Sequence, residues 1–196
     1  MINDMEIQPL LQPIMEGDEA AFRQLYHLVH PHIYRTAYFL AANEGDVNDI
    51  VSEVYMALFQ AISSYQAQRP FRSWLNGIIV RQASNWKRKL WRAMRLKARG
   101  QQLWIGDPSP APEEGLFATE EQREMLQHVN RLSAKLREVI VLRYYQDCSY
   151  EEIASALGLP LGTVKSRHHA AISKLRQALG EAWAVDREGG KQHVHT

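Results

Sequence analysis

The stretch Ser149 to Leu175, SYEEIASALGLPLGTVKSRHHAAISKL, constrains this chain more than any other. Ser149 and Glu152 stand in S-x-x-E order. In that arrangement the hydroxyl accepts from a backbone N–H of the first turn and the glutamate reaches back to the capping residue. The spacing predicts a short helix after Ser149, with Ile153, Ala154 and Leu157 as its buried face. Gly158 can adopt the left-handed conformation that ends such a helix. A tight turn, Gly158-Leu159-Pro160, then leads into a second helix. Its inward ridge is Val164, His168, Ala171 and Leu175, and its outward face carries Thr163, Lys165, Ser166, Arg167 and His169.

Two short helices joined by a glycine turn form the helix-turn-helix pattern, whose second helix enters the major groove and presents its first turns to base edges. Thr163 and Ser166 can donate to phosphates, and Lys165 and Arg167 can pair with phosphates or guanine edges. An ordinary helical hairpin with a solvated polar face has the same spacing. The capping box, the glycine turn and the placement of charge agree on DNA binding.

Charge is unevenly distributed over the 196 residues, although the net charge is only +1. From Met1 to Gln60 there are nine acidic residues against Arg23 and Arg35. From Arg81 to Arg99 there are eight basic residues and no acidic one, and from Asp107 to Glu124 six carboxylates face Arg123 alone. A basic block between acidic ones implies different partners for different surfaces, with nucleic acid on the basic one. No apolar run reaches the ~18 residues of a membrane span. Met1 to Gly17 contains no basic residue, unlike a secretory signal. The single cysteine, Cys148, cannot form an internal disulfide and fits a reducing cytoplasm.

Helical periodicity continues elsewhere. Phe22, Leu25, Tyr26, Val29, Ile33, Ala37 and Leu40 form one ridge, which His30-Pro31 is expected to interrupt or kink. Asp46 is the expected N-cap of a second helix with the ridge Val47, Ile50, Val51, Val54, Leu58 and Ile62. Its opposite face carries Asp49, Ser52, Glu53 and Met56. A third helix is expected from Phe71 into the basic block. Gly100 to Ala118 holds three prolines and three glycines and reads as a linker. A further helical unit begins near Thr119, where T-E-E-Q has capping-box form. After Leu179 the apolar period is lost and the tail is expected to fray. The expected architecture is all-α: two small helical domains, 1–99 and 119–180, joined by a flexible linker over 100–118, with a tail over 181–196.

The segment REVIVLRYYQDCSYEEIASALGLPLGTVKSR, Arg137 to Arg167, resembles the second promoter-binding domain of small bacterial RNA polymerase sigma factors. Asp46 to Ile62, DVNDIVSEVYMALFQAI, resembles their helix that binds the polymerase clamp. Tyr65 to Lys89, YQAQRPFRSWLNGIIVRQASNWKRK, resembles their segment that melts and reads the −10 element. Together these cover about three quarters of the chain in the family's order. The large middle domain of housekeeping sigma factors is missing, which points to the extracytoplasmic-function (ECF) group.

The resemblance implies roles residue by residue. Asp49, Ser52, Glu53 and Met56 would dock on core polymerase; alone, their helix face would read equally as a solvated one. Tyr65, Gln68, Arg69 and Arg72 would capture an extruded −10 base, which calls for stacking surfaces and polar edge contacts on a basic platform. Arg81, Asn85, Lys87, Arg88 and Lys89 would hold backbone phosphates, and Thr163, Lys165, Ser166, Arg167 and His169 would read the −35 element. Phe71, Trp74 and Leu75 resemble the family's F-x-x-W-L signature, and for Phe71 and Trp74 core packing is the stronger reading.

Some positions depart from the family pattern. Arg81 and Asn85 replace a frequent Asn and Asp, Ser52 a frequent Gln, and Ala170 and Ile172 stand where arginines are frequent. A proline common before the first helix of the hairpin is replaced near Ser133. His168, where an apolar residue is usual, is expected to pack half-buried. These changes leave the class intact and the promoter sequence open.

The resemblance also implies an anti-sigma factor, possibly membrane-anchored, besides core RNA polymerase and promoter DNA. No cofactor and no catalytic or metal site is expected: His27, His30 and His32 are close in sequence, but Pro31 disturbs their geometry, and no glycine-rich phosphate loop, HExxH or GxSxG occurs. Two other readings stay open on the residues. One is a dimeric operator-binding regulator; the other is an antagonist that mimics sigma domains. The Asp46–Ile62 and Tyr65–Lys89 segments argue against the first, and the basic block against the second.

Overall fold

A computed structural model describes residues 2–41, 43–66, 68–97 and 120–189, and all regular structure among them is helical. The chain opens with α1 (Asp4–Met15), a helix the apolar pattern had not singled out. Asn3 caps it by accepting from the Met5 N–H, and Ile7, Leu11 and Ile14 are its buried face. Gly17, at φ 92°, turns the chain, and the Asp18 side chain accepts from the N–H groups of Ala20 and Ala21 to start α2 (Glu19–Leu40).

α2 runs unbroken through Pro31, against the expected interruption. Pro31 and His27, whose carbonyl loses its donor, both lie on the exposed flank, where the missing bond is tolerated, while Val29, Ile33 and Ala37 are buried on the opposite side. A 3-10 turn, Glu44–Asp46, leads into α3 (Val47–Ala61). Asp46 occupies the N-cap position of α3, but its side chain makes no capping hydrogen bond there. The expected ridge of α3, from Val47 to Ile62, is buried.

After Pro70 comes α4 (Phe71–Lys97), the long basic helix. Its first N–H, on Phe71, donates to the Asp4 carboxylate of α1 at 3.1 Å, so the chain's start anchors the start of α4. Phe71, Leu75 and Ile79 are fully buried, and α1 to α4 close around them with Leu25, Val29, Ile33, Val54 and Leu58.

The second unit comprises α5 (Glu120–Arg131), α6 (Ala134–Ile140) with a π turn over Val141–Tyr145, α7 (Tyr150–Leu157) and α8 (Leu161–Gly189). The expected capping box at Thr119 and the linker over 100–118 lie outside the described residues. α8 continues to Gly189, beyond the frayed end expected after Leu179: nothing in 177–188, QALGEAWAVDRE, breaks a helix apart from the mild cost of Gly180. Residues 190–196 lie outside the description.

The two units pack on each other. Phe39 of α2 meets Tyr145 with ring centroids 3.8 Å apart, and Val80 of α4 shares a buried cluster with Val139, Leu142, Cys148, Ile153 and Val164.

Candidate polymerase and nucleic-acid interfaces

The outer face of α3 is half of the first candidate surface. Burial of its opposite ridge forces Asp49, Ser52 and Met56 into solvent, while Glu53 is half-buried. Met56 is 55% exposed, and Phe59, on the same face, is 58% exposed. Phe59 was not singled out in the sequence, although its position follows from the α3 period. Exposed apolar side chains rimmed by carboxylates suit a protein partner better than a nucleic acid. The ring of Phe59 meets Phe22 of α2 edge-on at 5.8 Å. Next to it, Tyr26 stacks at 4.8 Å on both His30 and Tyr55, and His30 Nδ1 lies 3.0 Å from the Tyr55 hydroxyl. This ladder stiffens the α2–α3 seam beneath the surface. Burial pushes the Tyr55 phenol well above its ordinary range, so it stays protonated.

The second surface surrounds the start of α4. Gln68 and Arg69 are exposed. Tyr65 is not the free stacking platform the sequence suggested: its hydroxyl donates to the Arg69 carbonyl at 2.6 Å, and its ring packs against Phe71 and Trp74 at 5.3 and 5.0 Å. Trp74 is half-buried and Phe71 fully buried, so both serve packing. Arg72 is also engaged, through an ion pair with Glu152 of α7 at 3.0 Å. Glu152 therefore has two duties, because its other oxygen accepts from the Ser149 N–H in the capping box. Those bonds hold its carboxyl below the usual range against the opposing effect of burial. Further along α4, Arg81, Asn85, Arg88 and Lys89 are exposed and Lys87 is half-buried, one cationic flank over two turns. Lys89 reaches toward Glu53 at 3.8 Å, linking this flank to the α3 face.

The third surface is the helix-turn-helix. Ser149 and Glu152 form both halves of the capping box, and Gly158 ends α7 at φ 63°. Val164, Ala171 and Leu175 are buried as the ridge required. Lys165, Ser166 and His169 are exposed, but Thr163 and Arg167 are half-buried, so the outward face is narrower than the spacing implied. His168 is half-buried as expected. Its ring nitrogens lie 3.0 and 3.2 Å from the Tyr144 and Tyr150 hydroxyls, and burial lowers its pKa. The nearby His27, His30 and His32 do not converge on one partner: His30 bonds Tyr55 and His32 bonds Asn76. Among the described residues no group of His, Cys, Asp and Glu could hold a metal ion.

Between the second and third surfaces lies a cleft of about 490 Å³ lined by Arg69, Arg81, Arg88 and Arg167, with Glu138 as its carboxylate. The Glu138 carboxyl is pushed up by burial, an effect partly offset by a hydrogen bond from the Ser84 hydroxyl and by the cations around it.

Comparison with known proteins agrees with this geometry. Residues 25–93 match the model of sigma-70 region 2, and residues 129–177 match that of sigma-70 region 4. The chain is 28% identical over 183 residues to the ECF RNA polymerase sigma factor SigW of Bacillus subtilis, covering 90% of this chain and 98% of that one. It is 29% identical over 191 residues to the sigma-E factor of Escherichia coli K12, covering 91% and 95%. Two solved structures share its fold. One is the sigma factor RpoE of Bartonella quintana, solved with the anti-sigma factor NepR (TM-score 0.67, 26% identity, 81% of this chain and 96% of that one). The other is CnrH, solved with the cytosolic domain of CnrY (TM-score 0.63, 25% identity, 92% and 99%). The chain belongs to the ECF sigma factors of bacterial RNA polymerase. Proteins of this class direct promoter-specific transcription initiation and are DNA-binding regulators rather than enzymes.

Proposed function

We propose that this chain binds core RNA polymerase through the outer face of α3 and directs it to promoters with a −10 and a −35 element. Asp49, Ser52, Glu53 and Met56, joined by Phe59, form the polymerase contact. Gln68, Arg69 and Arg72 capture the melted −10 strand, with Tyr65 bracing the loop that carries them. Arg81, Asn85, Lys87, Arg88 and Lys89 hold its phosphates, which supplies affinity and salt dependence rather than sequence choice. Thr163, Lys165, Ser166, Arg167 and His169 read the −35 element as duplex.

The observation that carries this reading is the presence, in one chain, of a capped helix-turn-helix and an uninterrupted cationic flank on α4 beside an apolar, acid-rimmed face on α3. An operator-binding regulator needs the first alone. An anti-sigma factor is the expected antagonist, in keeping with the two similar structures solved with such factors, and a membrane-anchored one would hold the chain near the cytoplasmic face. The chain works in the cytoplasm, where its polymerase is; no described helix is long and apolar enough to cross a membrane. Run-off transcription on genomic fragments, with purified core polymerase and with or without this protein, tests the reading. Discrete new start sites that depend on the protein are the expected result. Core binding without initiation would mark an antagonist, and tight duplex binding without core binding would mark an ordinary regulator.

A further inference from the structure

Position 168 of α8 lies four residues after Val164 and three before Ala171, both on the buried ridge of that helix. The place calls for an apolar side chain, yet it holds a half-buried histidine with both ring nitrogens engaged. Nε2 lies 3.0 Å from the hydroxyl of Tyr144 in the π turn, and Nδ1 lies 3.2 Å from that of Tyr150, the first residue of α7. The Tyr144 ring stacks on the imidazole at 5.8 Å, and the Tyr150 ring meets it edge-on at 5.3 Å. Arg143 completes the group: its guanidinium lies over the Tyr150 ring at 5.1 Å and donates to the Cys148 carbonyl at 2.9 Å. We propose that His168 is a positioning residue for DNA reading, which pins the recognition helix to the π turn and to α7, thereby aims Lys165 and His169, and couples duplex binding to the uptake of a proton. This inference rests on the sigma reading above, which supplies the −35 element as the duplex.

An apolar side chain would fill the same space without fixing a direction. Hydrogen bonds to hydroxyls on two different elements fix the ring, and with it the rotation of α8 about its axis. That rotation matters because Lys165 and His169 are exposed one turn before and one residue after His168. Contacts to base edges and phosphates form only when such donors stand within hydrogen-bond reach. The pin also responds to charge. A neutral imidazole has one donor and one acceptor, so one tyrosine donates to His168 and the other accepts from it. A protonated ring donates from both nitrogens, and one hydroxyl must then turn its own proton elsewhere. Tyr144 has room to do so, being 55% exposed, and its O–H can then donate to a backbone phosphate. In the free protein burial first, then Arg143 of the π turn and His169 of α8, disfavour the imidazolium. Phosphates brought to the Lys165–His169 face act in the opposite sense. Duplex binding therefore raises the proton affinity of His168, and by linkage the duplex is bound more tightly as pH falls below neutral.

The test selects a duplex from a randomised library with the full-length protein and core polymerase, then compares wild type, His168→Leu and His168→Gln on that duplex across pH. Far-UV circular dichroism verifies folding of each variant. At about pH 7.5 His168→Leu is expected to bind at least roughly fivefold more weakly, as the loss of two hydrogen bonds requires. His168→Gln keeps a donor and an acceptor and is expected to recover part of that affinity. From about pH 7.5 to about pH 6 the wild type is expected to gain roughly threefold per pH unit over either variant, within the tenfold limit set by one proton. His169 titrates in all three proteins and cancels from the comparison. Wild-type affinity in folded His168→Leu, or the same pH profile in that variant and the wild type, would overturn the proposal. Where leucine prevents folding, the pH profile of His168→Gln decides by the same criterion. Run-off transcription with core polymerase separates the two claims. Start sites without a pH difference between the proteins keep the sigma reading and remove His168; silence with a pH rise confined to the wild type removes the sigma reading and keeps His168 as the pin of an ordinary duplex reader.

Discussion

The guanidinium of Arg137 on α6 donates through Nη1 to the main-chain carbonyl of Ala41, 3.2 Å away at the end of α2. The same nitrogen lies 3.4 Å from the Leu40 carbonyl, and Nη2 reaches the carbonyls of Asn130 and Leu132 at the end of α5. One buried cation thus serves carbonyls at two helix ends that lack intrahelical donors, where its charge also complements the helix dipoles. Burial pushes the Arg137 pKa below its ordinary value, yet the group stays charged. Arg137→Met is expected to lower the unfolding free energy by about 2–4 kcal/mol, because the carbonyls remain buried without a donor. Arg137→Lys is expected to recover only part of that, since a single ammonium cannot fork between both helix ends. Urea titration of the three proteins checks the order.

Arg167 stands on the flank of α8, half-buried and close enough to Glu138 to offset part of the rise that burial imposes on its carboxyl. Arg167→Ala is expected to weaken promoter use by ~1–3 kcal/mol and to relax base preference at one −35 position. Transcription from a randomised −35 library reads both effects. An unchanged preference would remove Arg167 from direct readout.

Glu53 pairs with Lys89 at 3.8 Å, with side chains 36% and 64% exposed. A pair so open to solvent contributes little to folding, within ~0.5 kcal/mol. Glu53→Arg is therefore expected to keep the wild-type melting temperature while binding core polymerase at least tenfold more weakly. Normal holoenzyme assembly on a sizing column would take Glu53 out of the interface.

His32 links pH to stability. Burial lowers its pKa from 6.5 to about 4, opposed by the Asn76 hydrogen bond and assisted by the nearby Arg72 and Arg35 cations. The unfolded chain therefore binds this proton more readily than the folded one between those values. The stability it contributes is whole above about pH 6.5 and is lost as pH falls toward 4, by up to about 3 kcal/mol. Thermal unfolding of the wild type and of His32→Gln across that range isolates the effect, because Glu138 and Glu152 titrate in both. A parallel decline in the two proteins would exclude His32 as its source.

The helix-turn-helix was legible in the sequence because everything that builds it is local. Ser149 caps α7 by accepting from the N–H three residues on, Gly158 ends it, and the ridge from Val164 to Leu175 needs only helical period and an apolar neighbour. The same holds for the α3 ridge and for the basic flank of α4, where burial of one face decides which residues remain outside. α1 escaped the reading because Pro9 and Pro13 disguise a helix whose ridge, Ile7, Leu11 and Ile14, is held by α2 and α4. The interruption expected at Pro31 did not occur for the converse reason: tertiary packing outweighed the local cost.

Sequence alone therefore determined α3, α4, α7 and the start of α8, their inner faces, the helix-turn-helix and the family. Tertiary structure decided what those helices do to one another. Arg72 finds Glu152 80 residues away, Asn76 finds Cys148 72 away, and Arg137 finds Leu40 97 away. No periodicity records a partner at such a distance. Pairing across it depends on loop closure and on two surfaces fitting, as at Gly77, where a missing methyl group lets α4 and α7 touch.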